Sequence, residues 1–106
     1  MDLKDKIYIA GHQGLVGSAI FRQLEERGFS NIIVRTHKDL DLTVQSEVKS
    51  FFQKERPDYV ILAAAKVGGV HANNTYPADF IYQNIMIQSN VINSSFGSDV
   101  ERLLFL

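Results

Sequence analysis

Ile7-Tyr8-Ile9-Ala10-Gly11-His12-Gln13-Gly14-Leu15-Val16-Gly17 is the stretch whose reading decides the fold of this chain. Four apolar residues run into three glycines spaced G-x-x-G-x-x-G, and the amphipathic segment Ser18 to Arg27 follows. A buried strand, a tight turn and a helix start fit that order. In such a turn Gly11 permits the sharp change of direction. Gly14 lets backbone amides approach a pyrophosphate, and Gly17 lets the helix lie close against the strand. A glycine triplet alone is a weak sign of nucleotide binding; the strand before it and the helix after it strengthen the sign.

Outward from this turn, strand and helix patterns alternate. The spacing predicts a helix over Val16 to Arg27, with Val16, Ile20 and Leu24 on one face and Gly28 as its stop. Ile32-Ile33-Val34 reads as a short β-branched strand. Thr43 is the expected N-cap of a second helix carrying Val44, Val48, Phe51 and Phe52, which Pro57 ends. Tyr59 to Ala63 reads as a buried strand, followed by a loop from Ala64 to about Thr75. Pro77 opens a third helix with Ile81, Ile85, Gln88 and Ile92 along one stripe, and Arg102 to Leu106 reads as a fourth strand. The expected fold class is α/β, a doubly wound, Rossmann-type parallel sheet, incomplete at about four strands in the order 3-2-1-4 with three helices. Residues 1–106 are expected to be the N-terminal part of an NAD(P)-binding domain, with no substrate domain.

Composition narrows the classes. A chain of 106 residues with 45% hydrophobic and 22% charged residues is ordinary for one globular domain. The net charge of -1 gives no global attraction to nucleic acid or anionic lipid. There are no cysteines, which excludes disulfides, thiolate metal sites and a cysteine nucleophile within the chain. No apolar run is long enough to span a bilayer and the polar start lacks a signal-peptide core, so the expected compartment is cytoplasmic. No metal site is expected.

Ligands of such sheets bind beyond the carboxyl ends of the strands. The glycine turn falls there, with His12 acting through its backbone amide. After the second strand come Arg35, His37 and Lys38. Their positive charge suits a ribose 2′-phosphate, hence NADP; a solvated basic turn is the plain alternative. Asp39 could instead serve a ribose hydroxyl, which keeps NAD open. Asp41 and Leu42 come next, the carboxylate placed either to meet an adenine amino group or to offset a helix dipole. After the third strand, Ala63, Ala64 and Ala65 are small enough for a ribose to approach the backbone. Lys66, His71, Asn73, Asn74 and Asn84 are polar candidates whose plain reading is solvated loop.

Two segments carry a resemblance. Ala10 to Ile20 and the longer run Leu62-Ala63-Ala64-Ala65-Lys66-Val67-Gly68-Gly69-Val70, then Ala72 to Asn84, resemble the GDP-L-fucose synthase family of extended short-chain dehydrogenase/reductases. General short-chain reductases share the glycine turn but not the second segment. The resemblance covers essentially the whole chain and about the first third of such an enzyme. It implies NADPH as cofactor, epimerisation at C3 and C5 of GDP-4-keto-6-deoxy-D-mannose, reduction at C4, a GDP-sugar substrate and a homodimer. It also implies a cofactor site of Gly11, His12, Gln13, Gly14, Leu15, Val16 and Gly17 at the pyrophosphate. Arg35, His37, Lys38, Asp41 and Leu42 would lie at the adenosine, with Ala63, Ala64 and Ala65 beneath.

The chain departs from that family in two ways. The family often carries arginine where this chain has Gln13 and His37. Reduction in the superfamily also uses a tyrosine with a lysine four residues on, whereas Tyr8, Tyr59, Tyr76 and Tyr82 are followed at that distance by His12, Ala63, Phe80 and Met86. The family's other catalytic groups follow the strand matched by Leu103 to Leu106. No catalytic residue is therefore placed in this chain, which is expected to be inactive alone. A stand-alone or vestigial NAD(P)-binding module and another nucleotide-sugar epimerase or dehydratase are the alternatives.

Overall fold

The computed structural model describes residues 1–64 and 77–106. Its elements follow the order β1 (Ile7–Ala10), α1 (Leu15–Glu26), β2 (Ile32–Ile33), α2 (Gln45–Glu55), β3 (Tyr59–Leu62), α3 (Pro77–Gly97) and β4 (Arg102–Phe105). The four strands form one parallel sheet. The fold class matches the sequence reading, and the described residues hold the four strands and three helices it expected.

The strand order does not. The sheet runs β2-β1-β3-β4, not 3-2-1-4. Burial explains the difference. β2 pairs over two residues, Ile7 with Ile32 and Tyr8 with Ile33, and both its residues are half-buried. Such a short strand makes an edge. Val60 and Leu62 of β3 point into one core and Ile61 into the other. A strand apolar on both faces belongs inside a parallel sheet. β3 therefore pairs with β1 along its whole length, Ile7 with Tyr59 through Ala10 with Leu62, and β4 lies outside it. The chain leaves β1 toward β2 on one side and returns as β3 on the other, so the topological switch point lies between β1 and β3.

Successive strand residues point to opposite faces. Ile7 and Ile9 join Leu24 and Ile61 beneath α1. Tyr8 and Ala10 join Val48, Phe51, Phe52, Ile87 and Val91 beneath α2 and α3. An aromatic cluster centres the second layer: the Tyr8 ring lies 4.5 Å from Phe51 and 5.9 Å from Phe52, edge-on to the latter. Helix ends follow local chemistry. Gly28, at φ +93°, closes α1 with bonds from its own N–H to the Glu25 carbonyl and from Phe29 N–H to the Leu24 carbonyl. α2 ends at Arg56, whose N–H reaches the Phe52 carbonyl before Pro57. Thr43 is not its N-cap. That hydroxyl donates to Asp41 Oδ1 at 2.6 Å, and Val44 takes the cap position without a side-chain bond.

α3 also differs from expectation. Ile87, Asn90, Val91, Ser95 and Ser98 face inward along it or just past its end. Ile81, Tyr82, Ile85, Ile92 and Phe96 face out, Phe96 at 89% exposure. The apolar stripe read from spacing is the outer face. Among the described residues no helix is long and apolar enough to cross a membrane.

The buried tyrosine gives the core a pH signature. Burial pushes the Tyr8 hydroxyl well above its ordinary titration range, against the opposing charge of Arg35. Below about pH 10 the group is protonated whether the chain is folded or not. Above that, the unfolded chain releases the proton and the folded one keeps it, so stability falls as pH rises. Urea unfolding between about pH 8 and pH 11 should show a shallower alkaline loss for Tyr8→Phe than for the parent. Equal alkaline slopes would contradict this.

Candidate functional site: a glycine-floored cleft at the switch point

Beyond the carboxyl ends of β1 and β3 the backbone itself forms a floor. The Ala63 N–H donates to the Ala10 carbonyl at 2.9 Å, holding the two exits together. Gly11, at φ +91°, has no room for a side chain: a Cβ there would stand 2.7 Å from the Ala64 Cα. Gly17 is tighter still, since its Cβ would fall on the Gly11 carbonyl oxygen. These two glycines are required by packing. Gly14 is not. It lies at φ -77°, and a Cβ would meet only the Gly11 oxygen, at an ordinary 3.5 Å. It caps α1 with no side-chain hydrogen bond, so the first amides of the helix have no side-chain acceptor at this cap. Together with the helix dipole, that end of the cleft suits an anion.

One wall of the cleft is the turn itself, His12, Gln13 and Gly14. The opposite wall is Arg35, His37, Leu40, Asp41 and Leu42, with Tyr8 and Ile87 beneath and Ala63 and Ala64 in the floor. The hollow measures about 220 Å³. This is below the usual range for a drug-sized ligand. A larger hollow, lined by Leu15, Val16, Ile20 and Phe29 along α1, lacks convergent polar groups beyond arginine and glutamine side chains.

The second wall is built from charges tied to fixed partners. The Arg35 guanidinium lies 5.3 Å above the Phe51 ring. One of its nitrogens donates to the Val34 carbonyl at 2.8 Å and another to the Glu55 carboxylate at 3.0 Å. Lys6 also meets Glu55, at 3.5 Å from its carboxylate and 2.8 Å from its carbonyl. Asp41 Oδ1 accepts from the N–H and hydroxyl of Thr43, while its Oδ2 lies 4.0 Å from His37 Nε2. The Asn90 side-chain amide, buried on α3, donates to the Leu42 carbonyl at 2.9 Å and fixes that segment against the helix.

Gly11, His12, Gln13, Gly14, Arg35, His37, Asp41, Leu42, Ala63 and Ala64 thus share one cleft. Leu15, Val16 and Gly17 lie in the first turn of α1 behind it, with Leu15 pointing to solvent at 89% exposure. Lys38 is exposed and outside the lining, and Asp39 faces a separate shallow depression with Ser46 and Glu47. Asn84 is half-buried on α3, away from the lining. Ala65, Lys66, His71, Asn73 and Asn74 lie outside the described residues. Sequence reasoning missed Tyr8, Leu40 and Ile87 as wall residues, and Glu55 and Asn90 as supports. Leu40 had a signal, a lone leucine between Asp39 and Asp41.

The sequence model of the NAD dependent epimerase/dehydratase family matches residues 7–106. This chain belongs to that family. Among relatives within the epimerase/dehydratase family, GDP-L-fucose synthase 1 of Arabidopsis thaliana is 63% identical over 105 residues, which are 99% of this chain and 32% of that protein. GDP-L-fucose synthase of Escherichia coli K12 is 58% identical over 103 residues, 97% of this chain and 32% of that protein. A solved Campylobacter jejuni GDP-mannoheptose C4 reductase with NADP bound superposes with a TM-score of 0.95 at 48% identity, covering 99% of this chain and 33% of that one. The chain spans about a third of the length of the curated relatives it matches.

The different reasons for the glycines can be separated by stability alone. Gly17→Ala should lower unfolding free energy by about 1–3 kcal/mol or more, because the helix must move off the turn. Gly14→Ala should change it by less than about 1 kcal/mol. Thermal or urea unfolding of the two variants checks the ranking.

Proposed function

We propose that this chain binds NADP(H) in the cleft between the ends of β1 and β3 and serves as the nucleotide-binding third of a GDP-L-fucose synthase-like enzyme. The observation that carries the reading is Gly14. Its side-chain-free position is demanded by no packing contact, yet it stands in the cleft wall at an uncapped helix start. A ligand that must touch the backbone there accounts for it, and a pyrophosphate has the matching charge. Gly11 to Gly17 would hold the pyrophosphate. His37 to Leu42 would line the adenosine, and Ala63 to Ala65 would run beneath. NADP would supply hydride chemistry when bound; what this chain contributes is grip and orientation.

The names of the relatives support a GDP-linked sugar as the substrate class. The whole reaction we assign is epimerisation at C3 and C5 and NADPH-dependent reduction at C4 of GDP-4-keto-6-deoxy-D-mannose. This chain carries no Tyr-x-x-x-Lys pair. The 106 residues alone should therefore produce no GDP-fucose from the keto sugar and NADPH. We assign the cytoplasm as the compartment.

Calorimetric titration with NADPH tests the cofactor reading. The parent should bind, and Gly14→Val should weaken binding at least about tenfold while its unfolding midpoint stays near the parent's, because a valine at that φ is unstrained and its methyls enter the anion site. Equal binding by the two proteins would refute it.

The outer stripe of α3 supports a homodimer. Ile81, Ile85, Ile92 and Phe96 follow one another at near-helical spacing, all exposed in the single chain. An exposed apolar stripe of this kind, interrupted by Gln88 and Ser89, is a typical contact surface. In the full-length polypeptide, Ile85→Glu together with Ile92→Glu should shift sedimentation from dimer to monomer. An unchanged dimer would place the contact elsewhere.

A further inference from the structure

We infer that the Tyr8 hydroxyl is a hydrogen-bond donor to the purine base of the bound nucleotide, standing at the bottom of the cleft where the base enters. The inference rests on the dinucleotide reading above and adds to it a residue of β1 that lies outside the glycine turn.

Tyr8 belongs to the core and to the cleft at once. It is 1% exposed, and its ring is pinned by Phe51 at 4.5 Å and Phe52 at 5.9 Å. It also lines the cleft, with Leu40, Leu42 and Ile87. A buried tyrosine ordinarily finds a partner for its hydroxyl. This one has none among the described residues: burial, opposed by Arg35, is what raises its titration, and no hydrogen bond contributes. Arg35 cannot serve as the partner. A guanidinium offers no acceptor, and its nitrogens donate to the Val34 carbonyl and to Glu55.

The hydroxyl is nevertheless not sealed in. Ser95 Oγ is the one fully enclosed side-chain oxygen without a partner among the described residues. The Tyr8 oxygen therefore keeps an open side, and the hollow that Tyr8 lines is the cleft. An unpaired phenol in a core costs free energy that a phenylalanine in the same space would not. A ligand that completes the bond accounts for the oxygen.

The surroundings select the kind of ligand group. Leu40 and Ile87 are buried, and Leu42 and Ala64 pack on the same cluster. A phosphate or a sugar would give up its hydration there and find a single partner in exchange. A flat heteroaromatic base loses little at its faces and carries acceptor nitrogens at its edge. Apolar walls with one placed polar group are the usual arrangement for fixing such a ring. Burial keeps the phenol protonated well above neutral pH, so it meets the base as a donor. The two fused rings of a purine reach deeper than the single ring of a pyrimidine, which would stop short of the hydroxyl.

Tyr8→Phe removes one oxygen and keeps the ring. In the full-length polypeptide it would be titrated calorimetrically with NADPH, adenosine 2′,5′-bisphosphate and uridine 2′,5′-bisphosphate, with unfolding midpoints measured in parallel. NADPH and the adenosine compound should each bind about three- to tenfold more weakly than to the parent, the worth of one hydrogen bond. The uridine compound should bind as before. The unfolding midpoint near neutral pH should be equal or higher, since an unpaired hydroxyl has gone. Unchanged binding of the adenosine compound would overturn the inference. So would equal weakening of the adenosine and uridine compounds, which would give the hydroxyl to the sugar or phosphates they share. A lowered midpoint would make the oxygen a structural group and also overturn it. Failure of the parent to bind NADPH would instead remove the dinucleotide reading itself.

Discussion

A helix that touches a turn with no side chain between them is the constraint on which the rest depends. Gly17 on α1 lies against the Gly11 carbonyl, and Gly11 in turn lies against the backbone of Ala64 at the end of β3. Three backbones meet where two side chains would ordinarily keep them apart. This close stack fixes the angle at which α1 leaves β1, the separation of the β1 and β3 exits, and hence the floor of the cleft. The hydrogen bond from Ala63 to Ala10 completes the arrangement without recruiting a side chain. The fixed placement of the turn's backbone amides is thus a property of packing.

The opposite wall is organised by charge. Glu55 gathers Arg35 and Lys6, from the segments after and before the first βαβ unit, at the end of α2. These partly exposed pairs contribute little to stability, on the order of 1 kcal/mol or less each. Their effect is positional: they hold the guanidinium over the Phe51 ring, which is itself packed on Tyr8 in the centre of the sheet. This wall of the cleft is therefore anchored to the same aromatic cluster that forms the core, and the cleft and the fold share residues.

How much of this was legible in the sequence depends on the range of the interactions. The glycine turn and the stop at Gly28 were legible because their causes lie within a few residues. So were the parallel sheet and most cleft residues, which follow from the apolar runs Ile7–Ala10 and Tyr59–Leu62. The strand order was not, because it turns on whether Ile32–Ile33 or Tyr59–Leu62 takes the edge, and that is decided by burial against helices elsewhere in the chain. Thr43 has the right chemistry for a cap, but its hydroxyl is turned back to donate to Asp41, two residues before it, and Val44 takes the cap position. Arg35 reads as a free cation until Glu55, twenty residues on, is brought beside it.

The inward-facing side of α3 illustrates a further point. This helix carries large apolar residues around much of its circumference: Ile87 and Val91 within, Ile81, Ile85, Ile92 and Phe96 without. Hydrophobicity alone is nearly indifferent to which of these turns toward the sheet. Asn90 is not indifferent. Buried, with its amide bonded to the Leu42 carbonyl, it would lose that partner on any rotation of the helix, and a buried unpaired amide costs about 1–3 kcal/mol. One polar contact thereby acts as a key in a rotationally ambiguous lock. It selects a single azimuth for α3, and that choice decides which isoleucines become core and which stay exposed.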